Sequence, residues 1–379
     1  HLDYLISREA GVDIPLTPEQ ITADWVGDAL ARAGVCDIGD VAAVRPDADS
    51  VDVPSIVGNV IRLRIEYKRE ISGSPLTVIA KLPTRSDSIR KSVAAAGVYK
   101  VESDIYALFA AEAALPVPRC YRAAGSPDTG LYSFLLEDIS PAHALSQTDA
   151  CDIDMAEKVV VAIAEIHGRF WGRVDLPRAT PGATVELINR LEGAGWPAFM
   201  ERYGHRLNRT LNSYRFILNN RELVTTHATG RPTTVAHADL HLENILFTED
   251  PRRPVVIVDW QLSRPGLGAQ DLSYFLVSSL EPESRRAHED RLLRLYHRKL
   301  VEAGVEDYDF DRLWLDYRAT TVRLLPRPIT MAGGMDGEYI RPDREALIDT
   351  MFERADAAIL DLDPVDALRE ATGLTSRPD

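Results

Sequence analysis

The sequence predicts an α+β chain of two lobes: an antiparallel sheet plus a helix on the N-terminal side, then a mostly helical lobe that carries a β-hairpin. Three observations lead there. From Ile38 to Leu82 the apolar residues recur with a period of two. From Met155 onward they recur at spacings of three and four. At 379 residues the chain exceeds a single ordinary hydrophobic core, so two lobes are expected.

Thr17-Pro18-Glu19-Gln20 supplies an N-cap, a first-turn proline and a capping-box glutamine for a helix through Ile21, Trp25 and Ala29, which Gly34 stops. Ile61, Leu63, Ile65 and Tyr67 alternate with Arg62, Arg64 and Glu66, the pattern of a half-solvated antiparallel strand. Ser72 to Pro75 turns the chain, and Leu76 to Leu82 returns as a strand that is apolar but for Thr77 and Lys81. On the next helix Val98, Glu102, Ile105, Tyr106 and Phe109 share a face, which sets a carboxylate in the middle of apolar side chains. A charge there needs a partner, and Lys81 is the nearest candidate by topology. Val117 to Tyr121 and Leu131 to Leu136 read as two further strands joined through Gly125 to Gly130, and proline ends regular structure after Glu137-Asp138-Ile139-Ser140.

Beyond this point Met155, Val159, Ala162, Ile163, Ile166, Phe170 and Trp171 form one apolar helical stripe, with His167 as a core histidine. Further helices are expected over 185–191, 208–223, 291–301, 311–325 and 343–360, and residues 372–379 read as a frayed tail.

The stretch from Val235 to Gln261 organises the chemistry. An apolar run ends at His237, a short polar segment carries Asp239 and Asn244, and two β-rich runs about Glu249-Asp250-Pro251 form a hairpin that delivers Asp259 at its far end. Three oxygen-bearing side chains suit phosphoryl transfer, where one carboxylate orients the attacking hydroxyl and an amide with a second carboxylate holds Mg²⁺ on the phosphates of ATP. The same stretch admits another chemistry. His237, Asp239 and His241 alternate, so on an extended strand they would face one way, a geometry for a Zn²⁺ or Fe²⁺ hydrolase. That reading leaves Asn244 and Asp259 without roles.

The order His-x-Asp-x-x-x-x-Asn, then an Asp closing an apolar strand, resembles the protein-kinase-like superfamily, in the variant of the aminoglycoside phosphotransferase and choline kinase group and its ecdysteroid-kinase-like branch. The resemblance spans roughly Ile38 to Leu280. It implies a two-lobed protein-kinase-like fold divided at 1–137 and 138–379, with the nucleotide held on the first lobe. It makes Asp239 the catalytic carboxylate, and Asn244 and Asp259 the Mg²⁺ ligands. Lys81 would hold the α- and β-phosphates and Glu102 would position it. The loop from Asp49 to Asn59, with Gly58 as its one glycine, stands where phosphates are covered. Glu137 to Ile139 would read the adenine edge through their backbone, and His237 and Asp271 would support the catalytic loop. Residues 326–341 are then either a mobile wall of the acceptor pocket or a plain connector.

Composition sets outer limits. The net charge of −15 argues against nucleic acid or an anionic membrane surface as partner and would suit a cationic substrate, or be simply an acidic surface. Cys36, Cys120 and Cys151 show no metal-ligand spacing and fit a reducing cytosol. No apolar run reaches the roughly 18 residues of a membrane helix, and the start at His1 shows no leader and points to an N-terminus further upstream. The expectation is a cytoplasmic small-molecule kinase, monomer or homodimer, using ATP and Mg²⁺ on a hydroxylated acceptor. A metal-dependent hydrolase and a nucleotide-binding pseudokinase stay open beside it.

Overall fold

A computed structural model describes residues 6–7, 14–47, 53–54, 58–112, 114–173, 175–178, 183–228, 230–333 and 341–374. It divides into two compact units. One takes in the described residues up to Pro141 and the short segment Ile257–Leu262; the other runs from Ala142 onward apart from that segment and Ala183.

In the first unit β1 (Ile6–Ser7), α1 (Ala23–Arg32), β2 (Val41–Pro46), β3 (Val53–Pro54), β4 (Gly58–Tyr67), β5 (Thr77–Pro83), α2 (Asp87–Ala95), α3 (Val98–Ala110), β6 (Cys120–Ser126) and β7 (Leu131–Glu137) follow one another. The strands make a seven-stranded sheet in the order β1-β6-β7-β5-β4-β2, with β3 also on β4. Among the described residues, β1 on β6 pairs parallel and the other neighbours antiparallel. The alternation of β4 is realised: Ile61, Leu63 and Ile65 are buried and join Trp25, Val26, Ala29 and Leu30 of α1 in one core with Val78, Ala80 and Leu82 of β5. Successive strand side chains point to opposite faces, so Lys81, between Ala80 and Leu82, is turned away from that core and meets α3.

Two local readings change. The helix starts at Ala23, capped by the Thr22 hydroxyl, which accepts from the Trp25 N–H at 3.1 Å; the Thr17 to Gln20 stretch closes only a 3₁₀ turn. Strand β6 begins at Cys120 rather than Val117 and continues through Gly125 and Ser126, which had been expected in the turn. Gly125 can stay in the strand because the Tyr132 ring of β7 lies over it; a Cβ there would stand 1.9 Å from that ring.

The second unit contains β8 (Ala142–His143), α4 (Ile153–Arg169), α5 (Ala183–Tyr203), α6 (Leu211–Asn219), α7 (Arg221–Thr226), β9 (Thr234–Ala236), β10 (Ile245–Thr248), β11 (Val255–Ile257), β12 (Arg264–Gly266), α8 (Gly268–Ser279), α9 (Pro282–Glu302), α10 (Phe310–Thr320), α11 (Arg327–Gly333), α12 (Arg344–Leu362) and α13 (Pro364–Thr372). Strand β10 lies between β11 and β8, which makes the expected hairpin, and β9 pairs with β12. Phe199 and Tyr203 of α5, Tyr214 of α6 and Phe352 of α12 pack ring on ring, with Tyr203 and Phe352 stacked at 4.1 Å.

Helix α11 occupies the start of the stretch expected as wall or connector, while its residues 334–340 lie outside the described residues. So do 48–52 and 55–57 of the loop before β4, and 375–379 of the tail. No described helix is long and apolar enough to cross a membrane.

Candidate active site

Each unit holds one set of the residues singled out by the sequence. In the first, the Lys81 ammonium donates to Glu102 Oε1 at 2.8 Å and to Asp259 Oδ1 at 2.7 Å. Lys81 lies on the middle strand β5 between Val60 and Phe134. The Glu102 side chain is fully enclosed, whereas that of Asp259 keeps 27% of its surface exposed. Burial by itself would lower the Lys81 ammonium, but the carboxylates of Asp259 and Glu102 more than offset it and hold it above the ordinary lysine value. Burial also pushes the Glu102 carboxyl up, against the pull of Lys81. Gly58 of β4 sits beside this group: a Cβ on it would come 2.7 Å from the Leu82 carbonyl and 3.8 Å from Lys81 Cε.

Asp259 reaches Lys81 from a segment locked onto α3. Trp260 is fully buried with its ring edge-on to Phe109 at 4.7 Å, and the Ile257 N–H donates to the Pro116 carbonyl at 2.8 Å. Asp259 itself has φ of +65°, a left-handed conformation that aspartate tolerates better than most residues. Its second oxygen, Oδ2, accepts from Gln261 Nε2 at 3.1 Å. Glu137 ends β7, and its N–H already donates to the Arg119 carbonyl at 2.8 Å. Ile139 follows it in the segment leading to Pro141.

In the second unit β9 stops at Ala236, and Ala238 turns left-handed with φ of +68°. Asp271, fully buried on the first turn of α8, accepts from the N–H groups of His237 at 2.5 Å and Ala238 at 2.8 Å. His167 of α4 braces the same carboxylate at 3.2 Å and meets the Tyr296 hydroxyl at 2.7 Å. Burial alone would raise the Asp271 carboxyl, but the hydrogen bond and charge of His167, helped by His237 and the Ala238 N–H, hold it below its ordinary value. His237 Nδ1 accepts from the Asp239 N–H at 3.2 Å. The premise of the hydrolase reading fails here: His237, Asp239 and His241 do not alternate along a strand, because the strand has ended and the chain turns between them.

Asp239 is the focus of this set. Its Oδ1 accepts from the Tyr274 hydroxyl at 2.9 Å and pairs with the Arg327 guanidinium at 2.8 Å, while Oδ2 stands 3.6 Å from His241 Nε2. Burial alone would raise this carboxyl, but Arg327, then His241 and His237, outweigh it and hold it far below the usual carboxylate range. Asn244 Nδ2 donates to the Asp239 carbonyl at 2.9 Å, which leaves the amide oxygen as its acceptor for a hard cation.

Tyr274 and Arg327 were not anticipated. Tyr274 carried a faint signal, one helical turn after Asp271 on a helix already assigned to loop support. Arg327 carried none. A second cation, Arg341, grips the loop as well, forking onto Glu243 at 2.7 and 2.8 Å.

The sheet, the helical second unit and this pair of residue sets define a chain of protein-kinase-like fold. The ethanolamine kinase of Plasmodium vivax superposes with a TM-score of 0.52 at 11% identity, over 97% of this chain and 99% of that one. The choline kinase of Cryptosporidium parvum gives 0.51 at 14%, over 89% and 94%, and a candidate aminoglycoside phosphotransferase of Ralstonia eutropha 0.51 at 13%, over 92% and 98%. Within that fold, residues 195–306, which include the loop from His237 to Asn244, match the ecdysteroid kinase-like family. No curated protein sequence matches significantly.

Proposed function

We propose that this protein is a small-molecule kinase that transfers the γ-phosphoryl group of ATP to a hydroxyl group. The observation that carries the reading is the buried grouping of Lys81 with Glu102 and Asp259. Two carboxylates around one ammonium are expensive to bury and add little net stability, so such a group is expected where it serves a charged ligand. The reactions named for the ethanolamine and choline kinases of the same fold are of this class, and the match to the ecdysteroid kinase-like family supports it.

In this reading residues 1–137 form the nucleotide lobe and 138–379 the catalytic lobe. Lys81 holds the α- and β-phosphates and Glu102 positions it. Gly58 lets β4 approach β5 beside that ammonium. The backbone of the Glu137 to Ile139 segment reads adenine. The amide oxygen of Asn244 and the carboxylate of Asp259 are hard oxygen donors that fit Mg²⁺. Bound there, the metal would neutralise charge on the phosphates.

Asp239 Oδ2 accepts a hydrogen bond from the acceptor hydroxyl, whose oxygen attacks the γ-phosphorus in line. The bond to the β,γ-bridging oxygen breaks, ADP leaves, and the hydroxyl proton passes to Asp239 and on to water. Held ionised by Arg327, Asp239 is a weak base, so it orients the hydroxyl first and takes its proton late, as a loose transition state allows. Cys36, Cys120 and Cys151 are free thiols, which suits the reducing cytosol.

The test is Asp239→Ala. Phosphoryl transfer to an acceptor found by screening alcohols for ATP consumption should fall by about 10²–10⁴-fold, while calorimetric binding of Mg·ATP persists. A variant that keeps its turnover would overturn the assignment.

A further inference from the structure

Strand register sorts the residues of the first unit's sheet between its two faces, since directly opposed residues of an antiparallel pair share a face. Val60 opposes Lys81, Arg62 opposes Ile79, Ile79 opposes Leu136 and Lys81 opposes Phe134. All of these therefore lie on the side turned away from the α1 core, which holds Ile61, Leu63, Val78, Ala80 and Leu135. Helix α3 covers that side at Phe134, whose ring meets Tyr106 at 5.9 Å. Val60 and Ile79 stay half-buried. They form an apolar strip that runs from the Lys81 ammonium toward the end of β7, and there Arg62 reaches across β5 to Asp138, the residue after Glu137.

Resting on the kinase reading, in which this strip receives the nucleotide, we infer that the Arg62 guanidinium is the surface on which the base stacks. Asp138 is then a positioning residue that holds the guanidinium plane.

The geometry of the pair decides between base and phosphate. Arg62 Nη2 donates to Asp138 Oδ1 at 3.0 Å, and Nε stands 2.9 Å from Oδ2. A guanidinium donates from its rim, so these contacts fix its plane without using its faces. The Asp138 side chain keeps 3% of its surface and that of Arg62 keeps 37%, so the anchor is enclosed while the cation is reachable. A phosphate needs the rim and would meet the Asp138 carboxylate beside it. A base needs only a face, and every base has a π-face to offer. The neighbours Val60 and Ile79 also suit a ring better than an ion. Charge on this side of the sheet is thus divided: Lys81 serves the phosphates, and Arg62, neutralised by Asp138, serves the ring.

The experiment uses the full chain and compares Mg·ATP with Mg·tripolyphosphate, which carries phosphates and no base. Arg62→Lys keeps a cation beside Asp138 but has no plane. In calorimetry it should weaken Mg·ATP about tenfold, as for one stacked base, and leave Mg·tripolyphosphate unchanged. In turnover, KM for ATP should rise by a similar factor with kcat held. Arg62→Met should match Arg62→Lys, and if leaving Asp138 unpaired unfolds it, Arg62→Lys decides alone. Mg·ATP affinity kept by Arg62→Lys, or a loss shared by Mg·tripolyphosphate, overturns the inference and leaves the kinase reading standing. A parent protein that binds no Mg·ATP at millimolar concentration sinks both.

Discussion

Asp239 and Asp259 both depend on backbone that ordinary residues avoid. Ala238 at +68° and Asp259 at +65° are left-handed without being glycine, at a cost of about 1–3 kcal/mol each. Such conformations persist only where the surroundings enforce them. For Ala238 the enforcement is the pair of hydrogen bonds that Asp271 accepts; for Asp259 it is the buried Trp260 next to it. Ala238→Gly is therefore expected to raise the unfolding free energy, by up to about 1 kcal/mol in urea melts, and a loss of stability would show that no strain is stored there. At the Asp239 carboxylate, Tyr274→Phe removes a hydrogen bond to a charged group, so kcat should fall about tenfold with KM for ATP unchanged. A change confined to KM would instead place Tyr274 in ground-state binding. Away from the site, His227 is buried, donates from Nδ1 to the Val224 carbonyl at 2.9 Å, and leaves Nε2 without a partner. Burial, then Arg323, Arg231 and Arg312, depress it from 6.5 to about 4. Between those two values the unfolded chain binds the extra proton, so this contribution to stability is complete above pH 6.5 and is lost as pH falls toward 4. It amounts to at most about 3 kcal/mol. Chemical denaturation at pH 7 and pH 5 should show a smaller loss on acidification in His227→Leu than in the parent.

At the level of helices and strands, two close approaches set the surroundings of Asp239. Gly268 opens α8 against His167 and Tyr296: a Cβ there would lie 2.2 Å from the Tyr296 hydroxyl and 2.8 Å from His167 Nδ1. Asp271 is brought under the loop by that contact. The second is between α5 and α11, where a Cβ on Gly195 would stand 1.9 Å from the Ile329 carbonyl and one on Gly333 would stand 2.3 Å from the Leu191 carbonyl. Backbone packs on backbone there, and the start of α11 is Arg327. Gly195→Ala is therefore expected to push α11 off α5 and pull Arg327 from Asp239. That should cost about 1–3 kcal/mol of stability by overpacking and lower kcat, with Mg·ATP affinity unchanged. Wild-type kcat in that variant would show that α11 does not hold Arg327 in place.

Over the molecule as a whole, the first unit holds Lys81, Glu102 and Asp259 and the second holds Asp239 and Asn244, and a ligand that binds only the folded chain stabilises it by mass action. Mg·ATP at a hundred times its Kd should raise the unfolding free energy by about 2.7 kcal/mol, read as a shift in Tm. Lys81→Met should abolish most of that shift while Asp239→Ala keeps it. If Lys81→Met retains the full shift, the nucleotide is not held through Lys81.

Much of this was legible beforehand. Lys81 and Glu102 betrayed themselves as charges on otherwise apolar faces, and the structure joins them at 2.8 Å; Asp239, Asn244 and Asp259 stood in a recognisable spacing. Strand alternation and helical stripes depend on neighbours a few residues away, which is why the α+β order could be read. The start of the turn between β6 and β7 slipped because Tyr132 lies over Gly125 from the neighbouring strand, and the α1 cap slipped between two threonines of one stretch, Thr22 rather than Thr17. The surroundings of Asp239 are another matter. Tyr274 comes from 35 residues away in the chain, and Arg341 grips Glu243 from 98 away. No periodicity links such distances; only packing of α8, α11 and the loop selects them. The pattern of residues sufficed for the type of chemistry, since phosphoryl transfer demands those donors in that order. The cation beside Asp239 emerged from folding alone, because it depends on which guanidinium group the packed helices leave against that carboxylate.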